Sequence, residues 1–346
     1  MGAAAPLAGS QRLKHRALLL AQPLSAHLEL TYRCNWRCLF CYNPRHSDLR
    51  GMRRDDWSAV LDDLRALGTL TVSLTGGEPL THPDFLSIAA EVRRRAMALR
   101  ILTNGALVTE TVADAIAELG PVGVEMSLHG AAPMTHDRAT AVPGSFDAML
   151  AGLDRLRARG VPLLLKTPLT RLNEDELDGM IALAEARGVS YHVDPTITPR
   201  DDGDPSPLGY APSPGGLDRL FRRLAALSRL PAVERQEDGV NCGLGRVTLA
   251  VDPEGNLYPC LQWRTTSLGN VRETPLRELW RSSPRRIEAA EVARSANDRL
   301  RAAGGAVSRF PFCPAIAAQR TGDPLLPDAD HVARARAADR VRQGSA

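Results

Sequence analysis

The chain alternates between short β-rich runs and amphipathic helical stretches from about residue 27 to 195, and this alternation restricts its fold more than any other feature. Helical periodicity separates the strands at about 55–67, 84–97, 109–119, 146–159 and 173–187. Strands and helices that alternate form βαβ units and a parallel sheet. We therefore predict an α/β fold in which six strands form an open, partial (β/α)6 TIM-like barrel. The predicted strands are His27–Arg33, Leu70–Thr75, Leu99–Thr103, Val122–Leu128, Val161–Thr167 and Val189–Asp194.

Local signals mark the ends of several predicted helices. Asn173, with Glu176 three residues later, predicts a capping box at the start of the fifth helix. Gly68, Gly160 and Gly188 fall just past helix ends, where a residue in the left-handed conformation is often needed.

Polar groups follow the predicted strands at their carboxyl ends, which is where (β/α) barrels carry their active sites. We expect these groups to surround one mouth of the barrel. They are a cysteine run after strand one, Thr75–Pro79 after strand two, Thr103–Gly105 after strand three, Ser127–Gly130 after strand four, Lys166 and Thr167 at the end of strand five, and His192–Pro195 at the end of strand six.

The cysteine run contains Cys34, Cys38 and Cys41 in a C-x3-C-x2-C pattern. Three thiolates this close can converge on one soft metal centre, such as zinc, copper(I) or an iron–sulfur cluster. Three ligands are one fewer than a closed zinc site or an ordinary cubane cluster takes, so a metal held here keeps an open coordination position. Two alternatives stay open: cysteines buried as small apolar residues, and a zinc knuckle completed by His46.

The composition argues against several classes of partner. A formal net charge of +3 is too small to predict nucleic-acid or anionic-membrane binding. No apolar run reaches the length of a membrane span, and Ala17–Ala21 is too short for the apolar core of a signal peptide. We therefore expect a cytoplasmic protein with no membrane or nucleic-acid partner. In that compartment the six cysteines are better interpreted as metal ligands than as disulfides.

The C-x3-C-x2-C run followed by Tyr42, together with Gly76–Pro79 after the next strand, resembles the radical S-adenosylmethionine (radical SAM) superfamily. The resemblance implies that Cys34, Cys38 and Cys41 bind three irons of a 4Fe-4S cluster. The fourth iron would chelate the amino and carboxylate groups of S-adenosylmethionine. Reductive cleavage of the cofactor would then give a 5′-deoxyadenosyl radical that removes a hydrogen atom from the substrate.

The resemblance also implies contacts of other residues with the cofactor. His129 stands where many members carry an acidic residue, so a polar role and a structural role are both open for it. Lys166 is a candidate partner for a carboxylate of cofactor or substrate, and a solvated lysine is the alternative. The other implied contacts are Tyr42 near the adenine, Gly76, Gly77 and Glu78 at the methionyl amino group, and Asn104 and Ser127 at the ribose or carboxylate.

The C-terminal part of the chain carries a second group of cysteines, Cys242, Cys260 and Cys313. The preceding stretch 198–216 is rich in Pro, Gly and Asp and predicts a linker or lid. Two short strands flanking the turn Asp252–Gly255 predict a hairpin, which brings Cys242 and Cys260 to the same end. The remaining predicted elements are the strands Val247–Val251 and Asn256–Tyr258 and helices near 216–229, 275–281 and 325–346.

This region resembles the opening half of a SPASM domain, or the shorter Twitch domain, both of which carry auxiliary iron–sulfur clusters. Three cysteines are too few for the two clusters of a full SPASM domain. The resemblance implies one auxiliary cluster, whose fourth iron is held by another residue or left open, and a degenerate domain without a cluster is the alternative. The predicted division is an N-terminal extension 1–26, the barrel 27–230, a small α+β SPASM/Twitch-like domain 231–325 and a tail helix 326–346.

Relatives with such an extension mostly modify peptides made by ribosomes, so we expect peptide or protein maturation. Radical oxidation of a sugar, nucleotide or tetrapyrrole is the alternative, and a non-catalytic iron–sulfur or zinc-binding protein is the alternative of another class. Expected partners are S-adenosylmethionine, an electron donor such as flavodoxin or ferredoxin, and the substrate. Only about 26 residues precede the first strand, which leaves no room for a separate leader-binding domain ahead of the barrel. This argues against a stand-alone peptide modifier, although a partner protein could supply the recognition.

Overall fold

The computed structural model describes residues 9–43, 51–235, 239 and 242–344. Its strands are β1 Ser25–Thr31, β2 Thr71–Gly76, β3 Ala98–Thr103, β4 Gly123–Ser127, β5 Leu163–Pro168, β6 Ser190–Asp194, β7 Thr248–Val251, β8 Asn256–Tyr258 and β9 Gly269–Asn270. All of them belong to one sheet, in the order β6-β5-β4-β3-β2-β1-β7-β8-β9.

Helices occupy connections between the strands, the segment before β1 and the segment after β9. They are α1 Gly9–Leu20, α2 Arg54–Ala66, α3 Phe85–Arg94, α4 Glu110–Leu119, α5 Pro133–Thr140, α6 Ser145–Ala158, α7 Leu177–Ala186, α8 Pro214–Ala226, α9 Leu276–Ser282, α10 Pro284–Ala303, α11 Gly305–Ser308, α12 Pro314–Thr321 and α13 Ala329–Gly344. Short 3-10 helices occupy Pro79–Thr81, Glu174–Glu176 and Ser206–Tyr210. No helix in the described ranges is long and apolar enough to cross a bilayer.

The predicted partial barrel is confirmed. Strands β1 to β6 pair in parallel with their sequence neighbours, and β6 lies at an edge of the sheet, so the barrel stays open. The first predicted strand is displaced by two residues: it begins at Ser25, and its pairing with β2 becomes irregular between Glu29 and Thr31. The Thr31 hydroxyl then accepts a hydrogen bond from the Arg33 N–H (3.0 Å), which turns the chain out of the strand.

The sheet buries one face against the helices and directs the other toward the barrel interior. Leu28, Leu74 and Ile101 are paired across β1, β2 and β3 and are fully buried. They belong to the same core as Trp57 and Leu61 of α2. Residues paired across parallel strands point to the same face. The register therefore places the remaining positions, such as Ser127, Lys166 and His192, in one row inside the barrel.

The C-terminal hairpin is confirmed, and it extends the barrel sheet. Strand β7 pairs in parallel with β1, and β8 pairs antiparallel with β7. The Asp252 carboxylate accepts hydrogen bonds from the N–H groups of Glu254 (2.9 Å) and Asn256 (2.8 Å), and Gly255 has the positive φ (+91°) that closes the turn. The C-terminal segment is thereby attached to the strand that leads into Cys34.

The predicted capping box at Asn173 is wrong, whereas the three glycines after helices have positive φ as predicted (+79°, +70° and +64°). The Asn173 side chain accepts from the Thr170 N–H (2.8 Å). The Glu176 carboxylate accepts from the Ala131 N–H (2.6 Å) and the Thr135 hydroxyl. Asn173 is therefore bonded within the preceding loop and Glu176 to the start of α5, and a 3-10 turn precedes α7, which begins at Leu177.

Candidate active site

A cavity of about 1040 Å³ opens where the parallel strands of the barrel end. It reaches from the first cysteine loop along β6 to the neighbourhood of α8 and α13. The predicted site residues that line it are Cys34, Cys38, Cys41, Tyr42, Gly76, Gly77, Asn104, Ser127, Lys166 and Cys313. Glu78, Cys242 and Cys260 do not line it.

The first cysteine loop is anchored by its apolar residues and by α5. Trp36 is 2% exposed and packs edge-on against the rings of His129 and His136. The N–H groups of Arg37 and Leu39 donate to the carbonyls at the end of α5 (2.9 and 3.0 Å), and the Cys41 N–H donates to the Cys38 carbonyl (3.1 Å). These bonds fix the loop so that its three thiols face the cavity.

Burial raises the pKa of each thiol in this loop, and neighbouring thiols raise it further for Cys34 and Cys38. For Cys34 burial raises the pKa to about 12, and for Cys38 burial, Cys41 and Cys34 all act in the same direction. Thiolates at such a place need a compensating cation, which bound iron supplies. The donor set of three free thiols on one cavity wall fits a cluster that keeps one iron open.

Within the described residues, no group of three or more His, Cys, Asp or Glu side chains, either cysteine group included, is arranged to hold a single metal ion. A cubane distributes its thiolates over different irons, whereas a zinc knuckle needs all of its ligands on one ion. His46, the predicted fourth ligand of a zinc knuckle, lies outside the described residues.

The glycine loop after β2 lies in direct contact with the start of the cysteine loop. The Gly77 N–H donates to the Thr31 carbonyl (2.7 Å), and the Glu78 N–H donates to the Arg33 carbonyl (2.8 Å). A Cβ on Gly77 would stand 2.4 Å from the Arg33 carbonyl oxygen, and Gly76 has a φ of +123°. Only glycine permits this approach, which leaves the backbone of both residues exposed to the cavity.

Glu78 lies behind the glycine loop and is completely buried. Its carboxylate accepts hydrogen bonds from the Thr103 hydroxyl (2.7 Å), the Asn104 N–H (2.7 Å) and the Leu80 N–H (3.1 Å). Burial raises the pKa of Glu78 to about 7, although the three donors act in the opposite direction. Through these hydrogen bonds the Glu78 side chain ties the glycine loop to the end of β3.

The raised pKa of Glu78 predicts a pH-dependent stability. Because the folded protein holds this proton more tightly than the unfolded chain, the contribution is complete below pH 4.5 and is lost as the pH rises through about 7. At about 1.4 kcal/mol per unit, we expect wild type to lose about 3 kcal/mol relative to Glu78→Gln over this range. Urea unfolding of both cluster-free proteins at several pH values measures the difference. Burial also raises the pKa of Asp201 to about 7. This residue is present in both proteins, so its contribution to the pH dependence cancels in the comparison. A difference that does not change with pH would contradict the assignment.

Asn104, Ser127 and Tyr42 line the cavity next to the two loops. The Asn104 amide donates to Asn35 Oδ1 (2.7 Å) and lies 4.0 Å from Cys34 Sγ. The Tyr42 hydroxyl donates to Glu29 Oε1 (3.0 Å), so the ring is held against β1. His129 also lines the cavity; it is 4% exposed, and its ring packs on Phe40 at 5.0 Å.

Glu125 is a cavity residue that the sequence analysis missed. This carboxylate is 8% exposed and lies between Lys166 Nζ (3.0 Å) and Arg100 Nη1 (3.1 Å). Glu125 precedes Ser127 by two residues on β4, and this spacing puts both on the interior face. The sequence signal that could have identified Glu125 is its position two residues before Ser127 within the same predicted strand.

The second cysteine group is brought together by the hairpin and the following helices. Burial raises the pKa of Cys242, Cys260 and Cys313 to about 11, and each thiol is further raised by another member of the group. Cys242 and Cys260 pack beside Leu244 and the α10 residue Ala289, and Cys313 directly precedes α12. Cys313 also lines the large cavity, so the second group borders the space that the first group faces.

Family comparisons identify the class of protein. The Radical SAM superfamily model matches residues 28–184, and the SPASM model, an iron-sulfur cluster-binding domain, matches residues 242–302. Together they match more than half of the chain. The chain is a radical SAM enzyme with a SPASM domain. The cofactors of this class are a 4Fe-4S cluster with S-adenosylmethionine and auxiliary iron–sulfur clusters, and the donor sets described above fit them.

Two curated relatives cover most of the chain. The AdoMet-dependent heme synthase of Methanosarcina barkeri is 27% identical over 303 residues, which cover 78% of this chain and 83% of the relative. The PqqA peptide cyclase of Ruegeria pomeroyi is 27% identical over 275 residues, with 75% and 74% covered.

Solved structures share the fold at lower sequence identity. Streptococcus suis SuiB bound to precursor peptide SuiA has a TM-score of 0.65 at 16% identity, with 79% of this chain and 68% of SuiB covered. anSMEcpe with bound AdoMet and the Cp18Cys peptide has a TM-score of 0.59 at 16% identity, with 78% and 83% covered.

Proposed function

We propose that this radical SAM enzyme modifies a ribosomally made peptide or protein. The observation that carries the proposal is the single cavity of about 1040 Å³ that joins the first cysteine loop to Cys313 of the second group. Its volume lies just above the range for small-molecule sites, about 300–1,000 Å³. It therefore has room for the cofactor and a peptide segment together. The similarity to PqqA peptide cyclases and to the fold of SuiB supports a peptide substrate.

We propose the following division of work at the first group. Cys34, Cys38 and Cys41 would hold the 4Fe-4S cluster, which supplies one-electron cleavage of S-adenosylmethionine to the 5′-deoxyadenosyl radical. The backbone of Gly76 and Gly77 receives the methionyl amino group, because their carbonyls can accept from an ammonium and no side chain intervenes. Glu78 acts from behind by holding this loop to β3. The contacts that complete the cofactor site are Tyr42, Asn104 and Ser127.

Lys166 is the proposed substrate-orienting residue. Its side chain is 42% exposed on the cavity wall, and its ammonium is held by Glu125 at 3.0 Å. An ammonium fixed at one point on a half-exposed side chain can still donate to a carboxylate of the substrate or the cofactor. Because Arg100 also pairs with Glu125, this carboxylate remains compensated when Lys166 binds a second partner.

We propose the domain division 1–26, 27–230, 231–325 and 326–346, with one auxiliary cluster on Cys242, Cys260 and Cys313. Their mutual proximity supports a shared centre. An auxiliary cluster can take up the electron that remains after net oxidation of the substrate.

We propose that the electron that reduces the first cluster comes from a flavodoxin or ferredoxin. The six free thiols suit a cytoplasmic location.

The auxiliary cluster gives a prediction for Cys242→Ala. If each cysteine group holds one cluster, we expect this variant to lose about half of the bound iron, since a cubane needs its thiolates. It should still release 5′-deoxyadenosine, because the first group is intact. Iron and sulfide assays on anaerobically reconstituted protein measure the loss. An unchanged iron content would leave the second group as a degenerate domain without a cluster.

A second candidate function is chemistry on a tetrapyrrole, which the similarity to an AdoMet-dependent heme synthase favours. The same experiment tests both. Reduced, reconstituted protein is incubated with S-adenosylmethionine and either peptides encoded beside its gene or a heme precursor. A peptide of altered mass, formed together with 5′-deoxyadenosine, supports the proposal, and an altered tetrapyrrole overturns it in favour of the second function.

A further inference from the structure

A buried polar network connects the two cysteine groups, and none of the roles assigned above uses its central ion pair. That pair is formed by Glu29 of β1 and Arg264, whose Nη2 lies 2.6 Å from Glu29 Oε2. The side chains are 0% and 6% exposed. Two charges so deeply buried are tolerated only when they are closely paired and hydrogen-bonded, so the geometry of the pair is tightly constrained.

The glutamate end of the network reaches the first cysteine loop. Glu29 Oε1 accepts the hydroxyl hydrogen of Tyr42 (3.0 Å), and Tyr42 directly follows Cys41. The Tyr42 carbonyl in turn accepts from the Asp201 N–H (2.9 Å) on the loop after β6. The residue beside the last cysteine of the loop is therefore held by its hydroxyl and by its carbonyl, from two different elements.

The arginine end reaches the second cysteine group. The guanidinium lies over the Tyr258 ring, 4.9 Å from its centroid, and Arg264 Nε lies 3.5 Å from Asp201 Oδ2. Tyr258 precedes Cys260 by two residues, and Arg264 follows Cys260 by four. The Arg264 guanidinium thus contacts Tyr258, on the strand that leads into Cys260. It also contacts Glu29 and Asp201, the two residues that hold Tyr42.

We propose that Arg264 is a positioning residue for S-adenosylmethionine, which it serves by fixing Tyr42 through Glu29 and Asp201. The proposal rests on the proposed function of the first cysteine loop, with Tyr42 beside the adenine. Arg264 does not line the cavity, so it acts through Tyr42 and not by touching the cofactor. Arginine suits this role better than lysine, because a planar guanidinium can face two carboxylates and stack on a ring at the same time.

The consequence is that the C-terminal segment takes part in cofactor binding within the barrel. Arg264→Met on the reconstituted holoenzyme should raise the dissociation constant for S-adenosylmethionine about tenfold, the effect expected from losing a charge-assisted contact. Arg264→Lys should restore part of the affinity. Tyr42→Phe, which removes only the bond to Glu29, should raise the constant by about threefold to tenfold. Anaerobic equilibrium dialysis with labelled S-adenosylmethionine measures all three.

Two further readouts separate positioning from a structural role. Iron content per chain should stay at the wild-type value in Arg264→Met, while the fraction of the reduced-cluster EPR signal that changes on adding S-adenosylmethionine should fall. Arg272→Met is the matched control: Arg272 lies on the same C-terminal segment, is 42% exposed and is 3.9 Å from Asp56, so its loss should change neither readout.

Wild-type affinity in Arg264→Met, or a loss that merely follows a loss of iron, would overturn the proposal. If Arg264→Met does not fold, Tyr42→Phe decides, and an unchanged dissociation constant in that variant overturns the proposal as well. Failure of the proposed function would look different, because the wild-type protein itself would then release no 5′-deoxyadenosine.

Discussion

Cys38→Ala should abolish the release of 5′-deoxyadenosine, with a loss of at least about a thousandfold, or about 4 kcal/mol of transition-state stabilisation. Cys38 is the middle thiol of the first group, and both Cys34 and Cys41 raise its pKa. Without it only two thiolates remain, and an open cluster already has one protein ligand fewer than an ordinary cubane. Anaerobic assays of 5′-deoxyadenosine and of bound iron measure the effect.

Cys242→Ala is the matched control for this substitution, since it removes a cysteine from the second group only. The two variants should lose iron to a similar extent and differ in cofactor cleavage, which Cys38→Ala loses and Cys242→Ala keeps. If Cys38→Ala retained both its iron and its 5′-deoxyadenosine release, the first group would not be the site of cleavage. The non-catalytic alternative would then be favoured.

The sequence was sufficient to predict those features that depend on neighbouring residues. Six strands and their order followed from local periodicity, and the positions of Cys34, Gly76 and Ser127 at one mouth followed from the carboxyl-end rule for barrels. The hairpin before Cys260 followed from its turn residues. Each of these features is decided within a few residues along the chain, where propensity and pattern act directly.

Features that depend on distant partners could not be predicted. Glu78 was expected beside the methionyl amino group, and no local pattern showed that its carboxylate also accepts from groups 25 and 26 residues away at the end of β3. The ion pair of Glu29 and Arg264 joins residues separated by 235 positions, and no local pattern marks either of them. Helix α10 was not predicted, because tertiary contacts of small residues such as Ala289 and Ala293 bury it and its sequence has little apolar periodicity.

Gly77→Ala should reduce cofactor cleavage by about a hundredfold, because displacing a reacting group by about 1 Å can cost that much. A Cβ at this position would lie 2.4 Å from the Arg33 carbonyl oxygen and 2.6 Å from that of Tyr32. Both atoms belong to the backbone at the start of the cysteine loop, so no side-chain rotation relieves the contact. The loop carrying Cys34 would have to move away from the glycine loop that receives the cofactor.

Gly123→Ala provides the control, because Gly123 also lies on a barrel strand and a Cβ there would meet no atom within 4 Å. We expect this variant to cleave S-adenosylmethionine at the wild-type rate. Gly77→Ala should retain most of its iron, since its three cysteines are unchanged, and should bind the cofactor weakly. If Gly77→Ala cleaved S-adenosylmethionine at the wild-type rate, the cysteine loop would be able to move away from the added Cβ without loss of activity. The close contact between the two loops would then be a packing feature and not a requirement of the cofactor site.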